Sequence, residues 1–262
     1  MPDCGSPTSS DDTGATVALP STVRRVVSLV PSLTESIAES AAGSGLLVGA
    51  TDWCSHPADL DVERVRGTKN PDVAKVVALR PDLVLANAEE NRAEDLDALR
   101  AAGLAVWVTY PRTVPEALTS LSRMLAACGL GTPAWLSAAE QAWAEPWTGP
   151  RRTALVPIWR RPWMAVGSGT FTGDVLARLG IDNVLAGHAE RYPKIDLEDL
   201  PGYELAVLPD EPYAFSPEDG PECFDVPVRC VSGRHLTWYG PSLAEAREVL
   251  TAQLRSSPAP PS

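Results

Sequence analysis

The sequence predicts an α/β protein of two lobes, each with a mostly parallel sheet flanked by helices and bridged by a helical linker. Short, nearly continuous apolar runs, such as residues 25–30 and 83–86, are typical of strands buried on both faces of a parallel sheet. Helical stretches of about ten residues separate these runs, as in βαβ units. Residues 113–150 contain helical patterns without an intervening strand, which predicts the linker.

The composition narrows the class of protein. The chain has 262 residues, 44% of them hydrophobic, which indicates a globular protein with a sizeable core. Its 22 basic and 34 acidic residues give a net charge of −12. Binding to nucleic acid requires clustered Lys and Arg to neutralise phosphates, so we expect no nucleic-acid partner. No apolar run approaches the ~20 residues of a membrane-spanning helix.

The two ends of the chain have a different composition. Residues 1–22 are rich in Ser, Thr, Asp and Pro, which predicts a disordered tail, and residues 255–262 predict another. The first of these contains no basic segment followed by an apolar one, as an export signal would. The sequence as it stands therefore predicts a cytoplasmic protein, or an extracytoplasmic one if an export signal has been removed.

The five cysteines give no clear indication of a metal site or of disulfide bonds. Their number is odd and no C-x-x-C motif occurs, so neither a zinc site nor a disulfide framework is predicted. Cys223 and Cys230 could pair in an oxidising compartment, but free thiols are the favoured interpretation.

The first lobe is predicted over residues 23–112. The strand at 25–30 stops at Pro31, and Ser32 and Glu35 form a capping-box pattern that opens a helix from Leu33 to about Ala42. The alternation then continues. We expect further strands at 46–50, 83–86 and 104–108, and further helices at 73–79 and 93–102.

The linker and the second lobe follow. The linker contains a predicted helix at 114–128 and another that starts at Pro133 and stops at Pro146. The second lobe is predicted over 151–254. We expect its strands at 153–158, 205–208 and 226–229, and its helices at 174–179 and 243–254.

Several segments resemble one known family. Residues 26–35 read Val-Val-Ser-Leu-Val-Pro-Ser-Leu-Thr-Glu, and residues 77–86 read Val-Ala-Leu-Arg-Pro-Asp-Leu-Val-Leu-Ala. Residues 49–57 and 67–72 complete a set of ordered motifs, and 167–171 and 236–241 give a looser match. By these motifs the chain resembles the cobalamin- and ferric-siderophore-type periplasmic substrate-binding proteins of ABC importers. It is most similar to the cobalamin branch.

The resemblance implies a ligand cleft between the two lobes and binding without catalysis. The implied ligand is a small molecule, either cobalamin or another corrinoid, or a ferric chelate. No cofactor is required, and an ABC permease is the implied protein partner. A long connecting helix between the lobes would limit hinge motion.

Aromatic residues mark the candidate binding site. Flat side chains bind a large planar ligand well, and many of them here follow predicted strand ends, where α/β proteins bind ligands. Trp107, Trp135 and Trp143 instead lie on predicted core faces. For Trp159 the core and the site remain equally open. The predicted ligand-binding aromatic residues are Trp53, Trp159, Trp163, Tyr192, Trp238 and Tyr239.

Polar candidates accompany these aromatic residues. Arg160 and Arg161 could pair with a carboxylate or phosphate of the ligand, or form a solvated basic pair. Asn91 follows a strand end and is predicted to line the site. His235 is predicted to make a polar contact, and metal ligation by His56 or His235 is the less favoured alternative. The resemblance places aromatic residues of some relatives near Lys69 and Asn87, so these polar positions allow a more polar ligand.

Other classes of function remain open. An intracellular enzyme or cofactor-handling protein could reuse the same fold, although no nucleophile-elbow, P-loop, zinc-protease or dinucleotide motif occurs. A receptor for a bare metal ion is a weaker alternative. The sequence has only three histidines and no dense cluster of metal-ligating residues, which speaks against it. Residues 167–170 form either an anion site before a helix or a plain turn.

Overall fold

A computed structural model describes residues 8–255 of the chain. Those residues divide into two compact units. The first comprises the described residues up to Pro111 together with Glu116–Ala138 and Tyr239–Pro241. The second comprises Arg112–Pro115, Ala139–Trp238 and the residues from Ser242 onward.

The first unit contains a parallel sheet, as predicted. Its neighbouring strands follow the order β5-β4-β3-β8-β9, all parallel, while β1–β2 and β6–β7 are antiparallel pairs. In chain order the strands are β1 (Thr8–Ser10), β2 (Thr16–Ala18), β3 (Val26–Ser28), β4 (Leu47–Ala50), β5 (Glu63–Arg64), β6 (Arg66–Gly67), β7 (Asn70–Pro71), β8 (Leu83–Asn87) and β9 (Val106–Thr109). The helices that begin before the second sheet are α1 (Pro31–Ala38), α2 (Val73–Ala78), α3 (Ala93–Ala101), α4 (Val114–Ala127) and α5 (Ala134–Trp143), of which α4 and α5 contain residues of both units.

The core of the first unit explains why the apolar runs form strands. Every residue of β3, β8 and β9 is buried. Val76 of α2 and Leu96 and Leu99 of α3 join the same hydrophobic cluster as Val27 and Val84 of the sheet. Helices therefore cover the sheet, which removes its apolar side chains from water.

The start of α1 differs from the prediction. The helix begins at Pro31 and ends at Ala38, and no side chain caps it at Val30. Proline suits the first helical turn because its φ is fixed there and its missing N–H is not needed. Ser32 therefore lies inside the helix, where its buried hydroxyl has no hydrogen-bond partner among the described residues. The predicted capping box of Ser32 and Glu35 is wrong.

The prediction of a disordered tail over 1–22 is wrong for its described part. Strands β1 and β2 form a hairpin whose turn is fastened to the sheet. Buried Asp11 accepts a hydrogen bond from the backbone N–H of Val108 (3.2 Å). Asp12 accepts one from the backbone N–H of Tyr110 (2.8 Å) and pairs with Arg123 (3.1 Å). Residues 1–7, and residues 256–262 of the other predicted tail, lie outside the described residues, and Arg255 ends α8.

The second unit contains another parallel sheet, with the order β13-β10-β14-β15. A separate antiparallel hairpin joins β11 to β12. The strands are β10 (Arg152–Leu155), β11 (Pro157–Trp159), β12 (Met164–Ala165), β13 (Ile181–Asn183), β14 (Leu205–Pro209) and β15 (Val228–Val231). The helices are α6 (Phe171–Ala177), α7 (Gly233–Thr237) and α8 (Leu243–Arg255), and short 3-10 turns lie at Ser44–Leu46 and Pro221–Cys223.

One predicted strand of this unit is two strands. The run at 153–158 was expected to be continuous, but β10 ends at Leu155 and β11 begins at Pro157 in the separate hairpin. Proline has no N–H to donate, so it cannot continue a central strand that pairs on both sides. The chain therefore leaves the sheet there and carries Trp159 into the β11–β12 hairpin.

The helices of the described region are short relative to a bilayer. No helix within residues 8–255 has both the length and the apolar character needed to cross a membrane.

Candidate functional site

The carboxyl ends of both sheets carry most of the candidate residues. Ligands of parallel α/β sheets bind beyond these ends, where loops replace the strands. In the first unit, the segments after β4 and β8 carry Trp53 and Asn91. In the second unit, the segments after β10, β14 and β15 carry the β11–β12 hairpin, Glu211 and His235.

Trp53 is the most exposed large hydrophobic side chain of the described chain. Its exposed fraction is 68%, and its indole nitrogen lies close to Gly67, where an added Cβ would be 3.3 Å away. The next residue, Cys54, is buried, and its sulfur accepts a hydrogen bond from the Thr34 hydroxyl (3.0 Å). Burial raises the pKa of the Cys54 thiol, so this group stays protonated. The buried Cys54 thus fixes the turn to the protein interior, while the indole of Trp53 remains exposed to solvent.

Tyr239 is buried rather than exposed, and its predicted contact with a ligand stays a prediction. The side chain is only 5% exposed and lies in the first unit. Its hydroxyl accepts a hydrogen bond from the Asn87 amide (2.6 Å) and lies 2.8 Å from the Thr109 hydroxyl. Burial raises the pKa of the phenol far above its usual range. Tyr239 therefore ties the ends of β8 and β9 together.

Asn91 has a structural role, and its predicted contact with a ligand stays a prediction. Its side chain is buried, and its amide donates to the carbonyl of Thr68 (2.9 Å). Its carbonyl oxygen accepts from the backbone N–H of Asn87 (2.9 Å). Lys69 nearby donates to the carbonyl of Glu89. These bonds hold the loop after β8 in place. They engage both the amide nitrogen and the carbonyl oxygen of the Asn91 side chain.

The second unit contains a group of aromatic side chains, here called the aromatic cluster. Trp163 stacks on Phe215 with an interplanar angle of 5° and a centroid distance of 6.0 Å. Tyr213 meets Phe215 at 4.6 Å and Trp159 edge-on at 5.7 Å. Trp159 remains 42% exposed at the outer end of the cluster. The cluster consists of Trp159, Trp163, Tyr213, Phe215 and Phe224.

Arg160 fastens this cluster to the loop that follows β14. Its guanidinium pairs with Asp219 and with Glu222 (2.7 Å) and lies 5.6 Å from the Trp163 ring. A hydrogen bond from the Gly220 backbone, helped by Arg160, lowers the pKa of Glu222 to about 2. The side chain of Arg160 is only 13% exposed. Its cation is therefore already neutralised by the protein.

Arg161 has the opposite environment. It is exposed, and its backbone has a φ of 65°, which L-residues rarely adopt. Within residues 8–255 its guanidinium makes no ion pair or hydrogen bond. The two arginines of the predicted basic pair therefore differ. Within residues 8–255, the guanidinium of Arg160 forms ion pairs and the guanidinium of Arg161 forms none.

Trp238 and Glu211 interact in the second unit. The carboxylate of Glu211 accepts a hydrogen bond from Trp238, and the Arg234 guanidinium lies 6.0 Å from the indole. Trp238 is half-buried. Its role as a ligand contact stays a prediction.

His56 and His235 lie within hydrogen-bond distance of neighbouring side chains. His235 places Nδ1 2.8 Å from the Ser232 hydroxyl and Nε2 3.1 Å from a Glu245 oxygen. His56 lies 3.1 Å from the Ser55 hydroxyl. Among the described residues, no group of three or more His, Cys, Asp or Glu is arranged to hold a metal ion. Hydrogen bonding thus occupies both ring nitrogens of His235.

Tyr192 lies in a segment that passes close to Gly167. The N–H of Gly167 donates to the carbonyl of Arg191 (2.7 Å), and a Cβ on Gly167 would lie 2.1 Å from the carbonyl oxygen of Glu190. Thr170 caps α6 by accepting from the N–H of Gly173 (3.1 Å). Residues 167–170 therefore form a cap and a close backbone approach, and Tyr192 stays a predicted ligand contact.

The structure also bears on two further predictions, the core positions of three tryptophans and the state of two cysteines. Trp107 and Trp143 are buried, as predicted, and Trp135 is half-buried. Cys223 and Cys230 are free thiols, as favoured.

Sequence reasoning missed Tyr213, Phe215 and Glu211. All three lie within a few residues of the carboxyl end of β14, the position that marked the other candidates. The predicted strand at 205–208 could therefore have indicated them.

Comparisons with known proteins now bear on this arrangement. No family model matches the chain. The vitamin B12-binding protein of Vibrio campbellii is 24% identical over 192 residues, covering 71% of this chain and 70% of that protein. The periplasmic vitamin B12 binding protein of Vibrio cholerae superposes with a TM-score of 0.72 at 19% identity, over 89% of this chain and 97% of that one. The periplasmic heme-binding protein of Roseiflexus sp. RS-1 gives a TM-score of 0.71 at 18% identity, over 88% and 97%.

The fold is therefore that of the periplasmic ligand-binding proteins, with two parallel α/β units. More narrowly, the resemblance to the cobalamin- and ferric-siderophore-type substrate-binding proteins is confirmed. The two solved neighbours just described are named as periplasmic, and the cytoplasmic location expected from the sequence is not supported.

Proposed function

We propose that this chain is a non-catalytic, extracytoplasmic binding protein that captures a large planar ligand for an ABC importer. A corrinoid is the first candidate, since the relatives in sequence are named as vitamin B12-binding proteins. A metal porphyrin or ferric chelate is the next, since one structural neighbour is named as heme-binding.

One observation carries this proposal. Within the described residues, the large hydrophobic side chains that remain exposed are Trp53 and Trp159. Each lies in a segment that closely follows the carboxyl end of a sheet strand, β4 in the first unit and β10 in the second. An exposed indole is unfavourable in water, and it gains both apolar burial and stacking when a planar ligand covers it.

The test is equilibrium dialysis with cobalamin and with hemin. We expect saturable binding of at least one of them by the unaltered chain. Trp53→Ala and Trp159→Ala should each weaken that binding about tenfold, because a stacked indole contributes roughly 1.5 kcal/mol. Recovery of the bound ligand in unchanged form distinguishes a binding protein from an enzyme.

A matched control is available. Trp147 is half-buried, and its ring lies against Gly180, directly before the amino end of β13. Trp147→Phe should leave the affinity unchanged. No binding of either ligand, chemical conversion of the ligand, or full affinity in both alanine variants would contradict the proposal.

A further inference from the structure

Two adjacent arginines at the tip of the β11–β12 hairpin have different electrostatic surroundings. The guanidinium of Arg160 is neutralised by Asp219 and Glu222 and is mostly buried. The guanidinium of Arg161 is exposed and makes no ion pair within residues 8–255. Arg160 and Arg161 are adjacent in the sequence, but only the charge of Arg160 is neutralised by carboxylates.

We propose that Arg161, together with Trp159, recognises an anionic oxygen group, a carboxylate or a phosphodiester, on the planar ligand. Arg160 holds the hairpin that presents them. The inference rests on the proposed function and names the chemistry of its ligand.

The position of Arg161 supports this assignment. Trp159 ends β11, and Arg161 lies two residues further along the chain, in the turn that leads to β12. The exposed indole and the exposed guanidinium are therefore carried by the same short turn. A ligand ring on Trp159 would carry its substituents within reach of a planar donor suited to bidentate binding of carboxylate or phosphate.

The charge of the whole chain gives a second reason. A net charge of −12 repels an anionic ligand at long range, so its binding requires an unneutralised local cation. Arg160 cannot supply that cation because its carboxylate partners already neutralise it. Arg161 can, because its exposed guanidinium makes no ion pair within residues 8–255.

The test compares ligands that differ in the anionic group. Protoporphyrin IX has two carboxylates, and its dimethyl ester has none. Cobalamin has a phosphodiester, and cobinamide lacks it. We expect Arg161→Gln to weaken binding of the member that carries the anionic group about tenfold in at least one pair, and to change binding of the member that lacks it less than about twofold. Arg161→Lys should restore part of the lost affinity.

The matched control is Arg80→Gln. Arg80 is also exposed and has a positive φ of 47°, but it lies before the amino end of β8. This variant should bind every probe as the unaltered chain does, which separates loss of a specific contact from loss of net charge.

The outcomes separate this inference from the function on which it rests. An effect confined to the porphyrin pair identifies a carboxylate, and one confined to the corrinoid pair identifies a phosphodiester. Equal weakening of both members of each pair, or no weakening, overturns the role of Arg161 while leaving the binding function intact. Failure of the unaltered chain to bind any probe overturns both.

Discussion

Glu211 is a carboxyl group whose surroundings favour the protonated form. It is the second residue after β14 and is packed so closely on Gly233 that a Cβ there would lie 2.2 Å from its Cγ. Burial raises its pKa above the ordinary value of 4.5, and the neighbouring Asp210 charge raises it further. Hydrogen bonding from Trp238 and the charge of Arg234 act in the opposite direction without reversing the shift.

We expect Glu211→Gln to stabilise the protein at neutral pH. The folded state binds the Glu211 proton more tightly than the unfolded state, so stability falls as the pH rises from 4.5 through the raised pKa. Below 4.5 both states are protonated and the variant should gain nothing. Denaturant unfolding at a series of pH values measures the difference. Exposed Glu198→Gln is the control, and a gain that does not depend on pH would contradict this interpretation.

At the scale of elements, the segment that carries Tyr192 depends on the absence of a side chain at Gly167. The carbonyls of Glu190 and Arg191 and the ring of Pro193 all lie within 3.1 Å of the position that a Cβ would occupy. The N–H of Gly167 also bonds to Arg191. Any larger residue must therefore displace this segment.

We expect Gly167→Ala to destabilise the protein by about 1–3 kcal/mol, the usual range for overpacking. If Tyr192 contacts the ligand, the displaced segment also lowers the affinity. Gly202→Ala is the control because no atom lies within 4 Å of its Cβ position and its φ is ordinary, so its effect should stay within about 0.5 kcal/mol. Thermal unfolding and ligand titration measure both variants. Equal effects of the two substitutions would refute the steric argument.

The elements also show what local sequence predicts. Apolar runs placed most strands of the two sheets correctly, because burial on both faces leaves a pattern that needs no knowledge of partners. Two of the errors occurred at prolines. Pro31 was expected only to end a strand, yet it starts a helix, and Pro157 divides one predicted strand into two. Proline restricts the backbone in both cases, but the surrounding structure decides which element results.

The candidate site was predictable only in part, for a related reason. Trp53 is exposed and follows a predicted strand end, as the sequence indicated, whereas the sequence left the core and the site equally open for Trp159 and its exposure is seen only in the structure. The burial of Tyr239 depends on hydrogen bonds to Asn87 and Thr109, more than a hundred residues earlier in the chain. The hairpin at the start likewise depends on Asp12 reaching Arg123. No local pattern encodes such distant partners.

For the whole molecule, binding must be linked to stability. A ligand that binds only the folded chain stabilises it by ~2.7 kcal/mol at about 100 times its Kd. For a chain of this size each kcal/mol corresponds to roughly 2–4 °C in Tm. We therefore expect cobalamin or hemin, whichever binds, to raise the Tm by about 5–10 °C at that excess.

The same experiment asks whether both units contribute. At a fixed ligand concentration, a tenfold weaker variant keeps only ~1.4 kcal/mol of stabilisation, so its Tm shift should fall to about half. We expect this reduction for Trp53→Ala in the first unit and for Trp159→Ala in the second, each compared with its own ligand-free Tm. Trp147→Phe should keep the full shift. A full shift in Trp53→Ala with a reduced one in Trp159→Ala would assign ligand recognition to the second unit alone.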